Sequence, residues 1–486
     1  MLEIHGKIHD KYTLEFKVGY SRGHEEMSVS NFVMDTWIFI PDALYINDKT
    51  YSKANFYRDV RTLVRLITPV YSLKQLGDPK EMPLSHLFEA CNSYAEAQTE
   101  VNEESYEHQI KMFCSMVRSA TRNAIRVLEK QTDEVKMTEQ IKSVIDYLRG
   151  VTKGYRDIPE QAGLNRVAYE QRLYFEIGDE YLCRVIDMHL FRAMNELKKR
   201  FPGNEAVIRP IYEYLDADLE YQKQKGILLP KEQDEENNKR FLHRAGQLKK
   251  YIESDLYILA HKKSNTFMFQ QLFFMFAAGL SMVFATIVSF SFQQTYGNFT
   301  LPLFIALVVS YMLKDRIKDL MHYWFSSRLG SRFYDYKIKL AMHGKPIGWG
   351  KEGCDFVNED KVPREVRVHR GRVSGLEAGH CSLRETVIVH RHQVALYGKR
   401  LSKLSHYPLP GVNEIIRINL RDFLRRTDAP HVPVYINEGD GKYHIVSTEK
   451  VYYLHFVMRI KYEGVVSYRR YRIQLSRRGI KQMTEW

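Results

Sequence analysis

From Ser264 to Leu313 the chain carries no Asp, Glu, Lys, Arg or His, a stretch of 50 residues. Surface helices of soluble proteins keep a polar stripe toward water, and neither half of this window has a charged one. The first half, Thr266 to Phe290, exceeds the ~20 residues that a membrane-spanning helix needs. The second half, Asn298 to Leu313, is slightly short and spans if Lys314 extends its charge to the interface or the bilayer thins. The sequence therefore predicts a two-helix transmembrane hairpin, with spans at about 266–290 and 298–314. Lys and Arg flank the window on both sides and are absent from the connection "SFQQTYGN". The positive-inside rule then places the protein in the inner (cytoplasmic) membrane with both termini cytoplasmic and only Gln293 to Thr300 outside.

The rest of the chain reads as cytoplasmic and mixed in class. "YTLEFKV" alternates, "FVMDTWIFIP" reads as a more buried strand, and a helix is expected from about Ser52 to Ile67. Residues 76–232 read as helical. The steps of four and three from Tyr106 through Ile110, Phe113 and Val117 to Val127 form a seam for another helix. Residues 233–343 read as stalk helices around the spans, and "GKPIGWGKEG" as a linker over 344–361. Beyond it the period changes to two, giving strands from "ETVIVHRHQVALYG" to "VVSYRRYRIQLS". The expected fold is a multidomain α+β integral membrane protein. It comprises a small α/β unit (1–75), a helical domain, the hairpin with its stalk, and a β-rich sandwich or barrel (362–486). Five scattered cysteines without a CxxC suit reduced thiols. The N-terminus lacks a signal-peptide pattern.

Charge is concentrated at one end. Lys361 to Trp486 holds 24 Lys and Arg against 11 Asp and Glu, so the formal charge of +13 resides there. If Glu463-Gly464 turns the last hairpin, Phe456 pairs with Tyr471 and Leu454 with Ile473 toward a core. Arg459, Lys461, Tyr468, Arg470 and Arg472 then share the other face, a chemistry suited to lipid headgroups, a nucleotide or nucleic acid. A solvated surface fits the same residues.

Other candidate sites are sparser. His390 and His392 share one face of a strand and could hold a metal with ligands from elsewhere, with His380 and Cys381 upstream, although exposed strand histidines fit the pattern as well. Thr286, Ser289 and Gln293, with Asn298 beyond, form a polar stripe that could line a pore or bond between helices. Arg184 and His189 give an R-x4-H that resembles the motif of HEPN ribonucleases, which implies RNA cleavage. "TYGNF" resembles the end of the first span in CorA-type magnesium channels, but their Met is missing and the chain continues well past the second span. Nucleophile elbow, HExxH and dinucleotide-binding glycine fingerprint are absent, so the sequence offers no active site, leaves an enzyme open but disfavoured, and implies no cofactor. The layout resembles that of bacterial membrane effectors of phage defence. The function expected from sequence is thus an oligomeric membrane effector or channel-like protein. The alternatives are a membrane-anchored binding protein for an anionic ligand and a membrane-bound HEPN-like ribonuclease. Membrane lipids and further copies of the chain are the expected partners.

Overall fold

The computed structural model describes residues 2–21, 29–131, 133–264, 266–298, 300–328, 334–342, 344–371, 385–404, 406–439, 441–462 and 464–486. The chain divides into a β-rich unit, formed by Met1–Val64, Ile258–His406 and Gly411–Trp486, and a helical unit, formed by Arg65–Tyr257 with Tyr407–Pro410. The N- and C-terminal strands thus belong to one body.

In the β-rich unit, β1 (Leu2–Ile8), β2 (Thr13–Ser21), β3 (Ser30–Pro41), α1 (Lys53–Asp59) and β4 (Val60–Leu66) precede the helical segment. Ser52 caps α1 by accepting from the Asn55 backbone N–H. The helix expected through Ile67 stops at Asp59. From Val60 the burial alternates, with Val60, Val64 and Leu66 inside and Arg61 and Leu63 outside, so period two prevails. After the helical segment come β5 (Leu259–Ser264), two long helices, β6 (Tyr336–Met342), β7 (Lys345–Val357), β8 (Glu385–Leu396), β9 (Gly411–Asn419), β10 (His431–Gly439), β11 (Lys442–Glu449), β12 (Tyr452–Tyr462), β13 (Val465–Ser476) and β14 (Gly479–Glu485).

Eight strands form one antiparallel sheet in the order β14-β13-β12-β3-β8-β7-β6-β5, and four form a second in the order β1-β2-β9-β4. The segment expected to be a linker is β7, inside the larger sheet. The hairpin register is the one its turn implies, with Phe456 opposite Tyr471, Val457 opposite Arg470 and Arg459 opposite Tyr468. On one face of the large sheet, Phe456 and Tyr471 pack on Phe16 of β2 (ring centroids 5.6 and 5.3 Å), and Phe32 packs on Tyr20. The core lies between these two layers. On the opposite face, Trp37, Phe39, Val387, Val389 and Val457 are covered by Val362 and Val366. Val366 belongs to a short helix, Arg364–Arg370.

The two long helices, Thr266–Tyr296 and Leu301–Arg328, pack on each other through small residues: Ala277, Ser281, Ala306 and Ser310 are all buried. The Ser310 hydroxyl donates to the Ala285 carbonyl at 3.4 Å, and Phe274 stacks on His322. The expected transmembrane hairpin is not supported, and this corrects the fold class. Only one helix among the described residues, Gln271–Tyr296, is long and apolar enough to cross a membrane by length and composition. The second begins at Leu301 rather than Asn298, and Lys314, Asp315, Arg316, Lys318 and Asp319 lie within it. Its uncharged part, Leu301 to Leu313, reaches ~20 Å at 1.5 Å per residue, short of the ~30 Å of hydrocarbon.

The helical unit is built on α4 (Glu100–Lys130), α5 (Glu134–Gln161) and α6 (Tyr169–Arg200), joined by α7 (Glu205–Gln224) and α8 (Glu235–Ile252) (α2 and α3, Leu73–Leu76 and Met82–Glu96, precede them). Tyr106, Ile110, Phe113 and Val117 of the expected seam are all fully buried, while Val127 is exposed. At the centre Tyr155 stacks on Phe175 and Phe113, and its hydroxyl donates to the Phe175 carbonyl at 3.0 Å.

Candidate functional site

Strand register assembles a polar cluster inside the apolar core of the β-rich unit. In β8, His390 and His392 are two apart and point to the same, inner face. In β7, Glu352 lies directly opposite His392 and Cys354 opposite His390, which brings their Cβ atoms to within about 5.5 Å of each other. All four are buried. Glu352 accepts from His390 Nε2 at 2.9 Å and from Lys262 Nζ at 2.5 Å. Lys262 comes from β5, the edge strand, and its ammonium sits over the Tyr57 and Tyr336 rings. From the facing sheet, Glu414 of β9 approaches His392 Nε2 at 2.8 Å and accepts from the Tyr20 hydroxyl at 2.6 Å.

The His392–Glu414 contact is close but not well aligned as a hydrogen bond. Both ring nitrogens of His392 lack a well-aligned hydrogen-bond partner although the ring is buried. Glu352, His390 and His392 each offer a ligand atom, and these atoms lie within 4.8 Å of one another. Beside them is a cavity of about 230 Å³ whose polar lining includes Tyr20, Tyr57, Lys262, Glu352, His392 and Glu414, with apolar walls from Val60, Ile338 and Val394.

The electrostatics follow from burial set against pairing. Burial alone would raise the Glu352 carboxyl, but the His390 hydrogen bond and the charges of His390, His392 and Lys262 hold it well below the usual carboxylate range. Burial opposes charge on His392, yet Glu414 and Glu352 outweigh it and raise that imidazole above its ordinary value. The Tyr20 phenol is pushed far up by burial and by the adjacent Glu414. Two imidazoles and a carboxylate form a donor set for first-row divalent ions, and the neighbouring carboxylates and Lys262 would orient it from outside.

His390 and His392 were legible as a pair on one strand face. Glu352 was not, because it sits in the segment read as a linker, and Glu414 arrives from a sheet whose pairing no local pattern reveals. His380 and Cys381 lie outside the described residues.

The remaining candidates are placed as follows. Arg459 pairs with Asp35 at 2.6 Å and lies over Trp37, and Tyr468 stacks on His369, so the helix Arg364–Arg370 lies against part of the basic face. Arg470 and Arg472 both stand over Trp486, and Lys461 is exposed. Thr286 bonds back to the Met282 carbonyl, Gln293 donates to Asn298, and Ser289 is half-buried. Arg184 pairs with Glu180 and covers the Phe241 ring. His189, five positions on, is buried and takes up a different environment. No family model, curated protein or solved structure matches this chain.

Proposed function

We propose that the chain is a membrane-attached binding protein built around a divalent-metal centre at Glu352, His390 and His392, with Glu414 orienting His392 from outside the donor set. The observation that carries this reading is the convergence of three buried ligand atoms within 4.8 Å beside a cavity that suits a small ligand. Leaving buried polar atoms without partners costs about 1–3 kcal/mol each. A metal ion would give the His392 ring a better-aligned partner than its contact with Glu414. Lys262 and the cavity mouth would then favour a small anionic molecule next to the metal.

Chelator-stripped protein is expected to take up one Zn2+ per chain in a calorimetric titration. His390→Ala with His392→Ala is expected to weaken that binding by roughly 100-fold or more, since outer-shell losses alone cost 10–100-fold. Equal zinc binding in parent and double variant would remove the centre from consideration.

Membrane attachment rests on a separate observation. The helix Thr266–Tyr296 exposes Leu272, Met275, Phe276, Leu280, Val283, Ile287 and Phe290, and large exposed apolar faces mark interaction or membrane sites. Thr286 and Gln293 spend their hydrogen bonds within the helix pair, which favours attachment over a conduit. Phe276→Lys combined with Val283→Lys is expected to move the protein from the membrane pellet to the supernatant on alkaline carbonate extraction. Each lysine costs about 2.5–3.5 kcal/mol in hydrocarbon. A parent protein already recovered in the supernatant would refute attachment.

A further inference from the structure

The helical unit contains a second polar pocket, independent of the histidine–glutamate cluster. Arg118, Arg122 and Arg126 recur every four residues on α4 and so share one face. Arg118, Arg122 and Arg65 line a cavity of about 50 Å³ together with Thr68, Ser115, Ser119 and Glu253. Glu253, 3% exposed, is the one carboxylate in that lining among the described residues. It pairs with Arg118 and lies 3.5 Å from Arg65 Nη1. One negative charge therefore faces three guanidiniums.

Several buried polar atoms here also lack aligned partners. The Nε groups of Arg65 and Arg122 are buried and unpartnered, as are Ser115 Oγ and His189 Nε2, and Ser115 and His189 are only 4% and 6% exposed. Burial and the neighbouring Arg126, Arg118 and Arg65 charges depress the Arg122 guanidinium. Burial, with Arg118, Arg192, Arg122 and Arg126 around it, holds the His189 imidazole at about 4. Like charges gathered at a buried spot, with hydrogen-bond donors left over, are a cost to the fold unless an anion is bound there.

We infer that this pocket binds a phosphoryl group, with Arg65, Arg118 and Arg122 as its charged clamp and Ser115 and Ser119 as hydroxyl donors. The volume admits on the order of four waters, at 10–15 Å³ of probe-occupied space each, which is the size class of one tetrahedral oxyanion. Guanidinium forks match phosphate oxygens two at a time. His189, singled out in the sequence for an R-x4-H, belongs to this neighbourhood, whereas Arg184 is engaged with Glu180.

The test uses the full-length chain in phosphate-free buffer, followed by thermal unfolding and calorimetry. Inorganic phosphate is the first probe, a phosphomonoester such as glycerol 3-phosphate the second, and chloride at matched ionic strength the control. Phosphate is expected to raise the unfolding temperature in a saturable way that chloride does not reproduce. Arg122→Gln is expected to weaken binding at least tenfold while leaving the ligand-free protein as stable as the parent or more so, because it relieves like-charge repulsion. Tighter binding of the monoester would assign the site to the end group of a larger ligand, and tighter binding of phosphate to the free ion; both sustain the proposal. No saturable effect in the parent, or equal binding by Arg122→Gln and parent, would overturn it. Loss of stability in ligand-free Arg122→Gln would also overturn it, since the arginine would then be structural.

Discussion

Glu352→Ala is expected to destabilise the β-rich unit by about 3–5 kcal/mol, the range for removing one partner of a buried ion pair. The carboxylate is 1% exposed and serves His390 through one oxygen and Lys262 through the other. Its removal leaves the buried His390 ring without its acceptor and Lys262 without its counter-charge. Glu352→Gln keeps the shape and one acceptor, so it is expected to recover part of the loss but none of the zinc response. Urea unfolding with and without Zn2+ separates the two effects. Parent protein should gain stability as zinc is added, because a ligand that binds only the folded state stabilises it by mass action, while both variants should not. An alanine variant as stable as the parent would mean that the cluster contributes nothing to the fold. A zinc response in Glu352→Ala equal to that of the parent would remove Glu352 from the donor set.

The second large effect is expected at Gly178. A Cβ there would run into the Tyr155 hydroxyl and would lie 2.8 Å from Ile110 Cγ2. Neither neighbour can yield easily: Tyr155 is fully buried, stacked between Phe113 and Phe175 and tied to the Phe175 carbonyl, and Ile110 is fully buried. Gly178→Ala should therefore lower the stability of the helical unit by about 3 kcal/mol, the upper end of the range for overpacking. This outweighs the better helix propensity of alanine, worth about 1 kcal/mol. Tyr155→Phe removes the obstructing oxygen, so the double variant should be more stable than the sum of the single losses predicts. Strict additivity would show that the two positions do not collide.

How much of this architecture is legible in the sequence depends on whether a signal is local. The strands from β8 to β13 show their period of two, and a short turn fixes the last hairpin's register. Val60–Leu66 fails because a helix cap at Ser52 and apolar spacing near 3.6 are local, while its partner β9 lies some 350 residues downstream. The glycines of "GKPIGWGKEG" read as helix breakers. In the sheet Gly348 lies against the Ala395 carbonyl, where a side chain would collide. That misreading also hid Glu352. The hairpin expectation counted apolar residues from Asn298, but helix geometry starts at Leu301, and three lost residues leave the charged turn at Lys314 too near the helix start.

Asp35 on β3 is bonded to Arg459 on β12, 424 positions later, and Tyr20 to Glu414, 394 positions later. During synthesis at roughly 5–20 residues per second, the N-terminal strands must wait about 20–85 s for those partners to leave the ribosome. The helical unit closes almost wholly within Arg65–Tyr257 and can assemble during that interval, apart from the late segment Tyr407–Pro410. A chain released before β12 therefore presents β3 with an open edge at a time when the helical unit can already have folded, which makes truncated products natural clients for chaperones that shield unpaired strands.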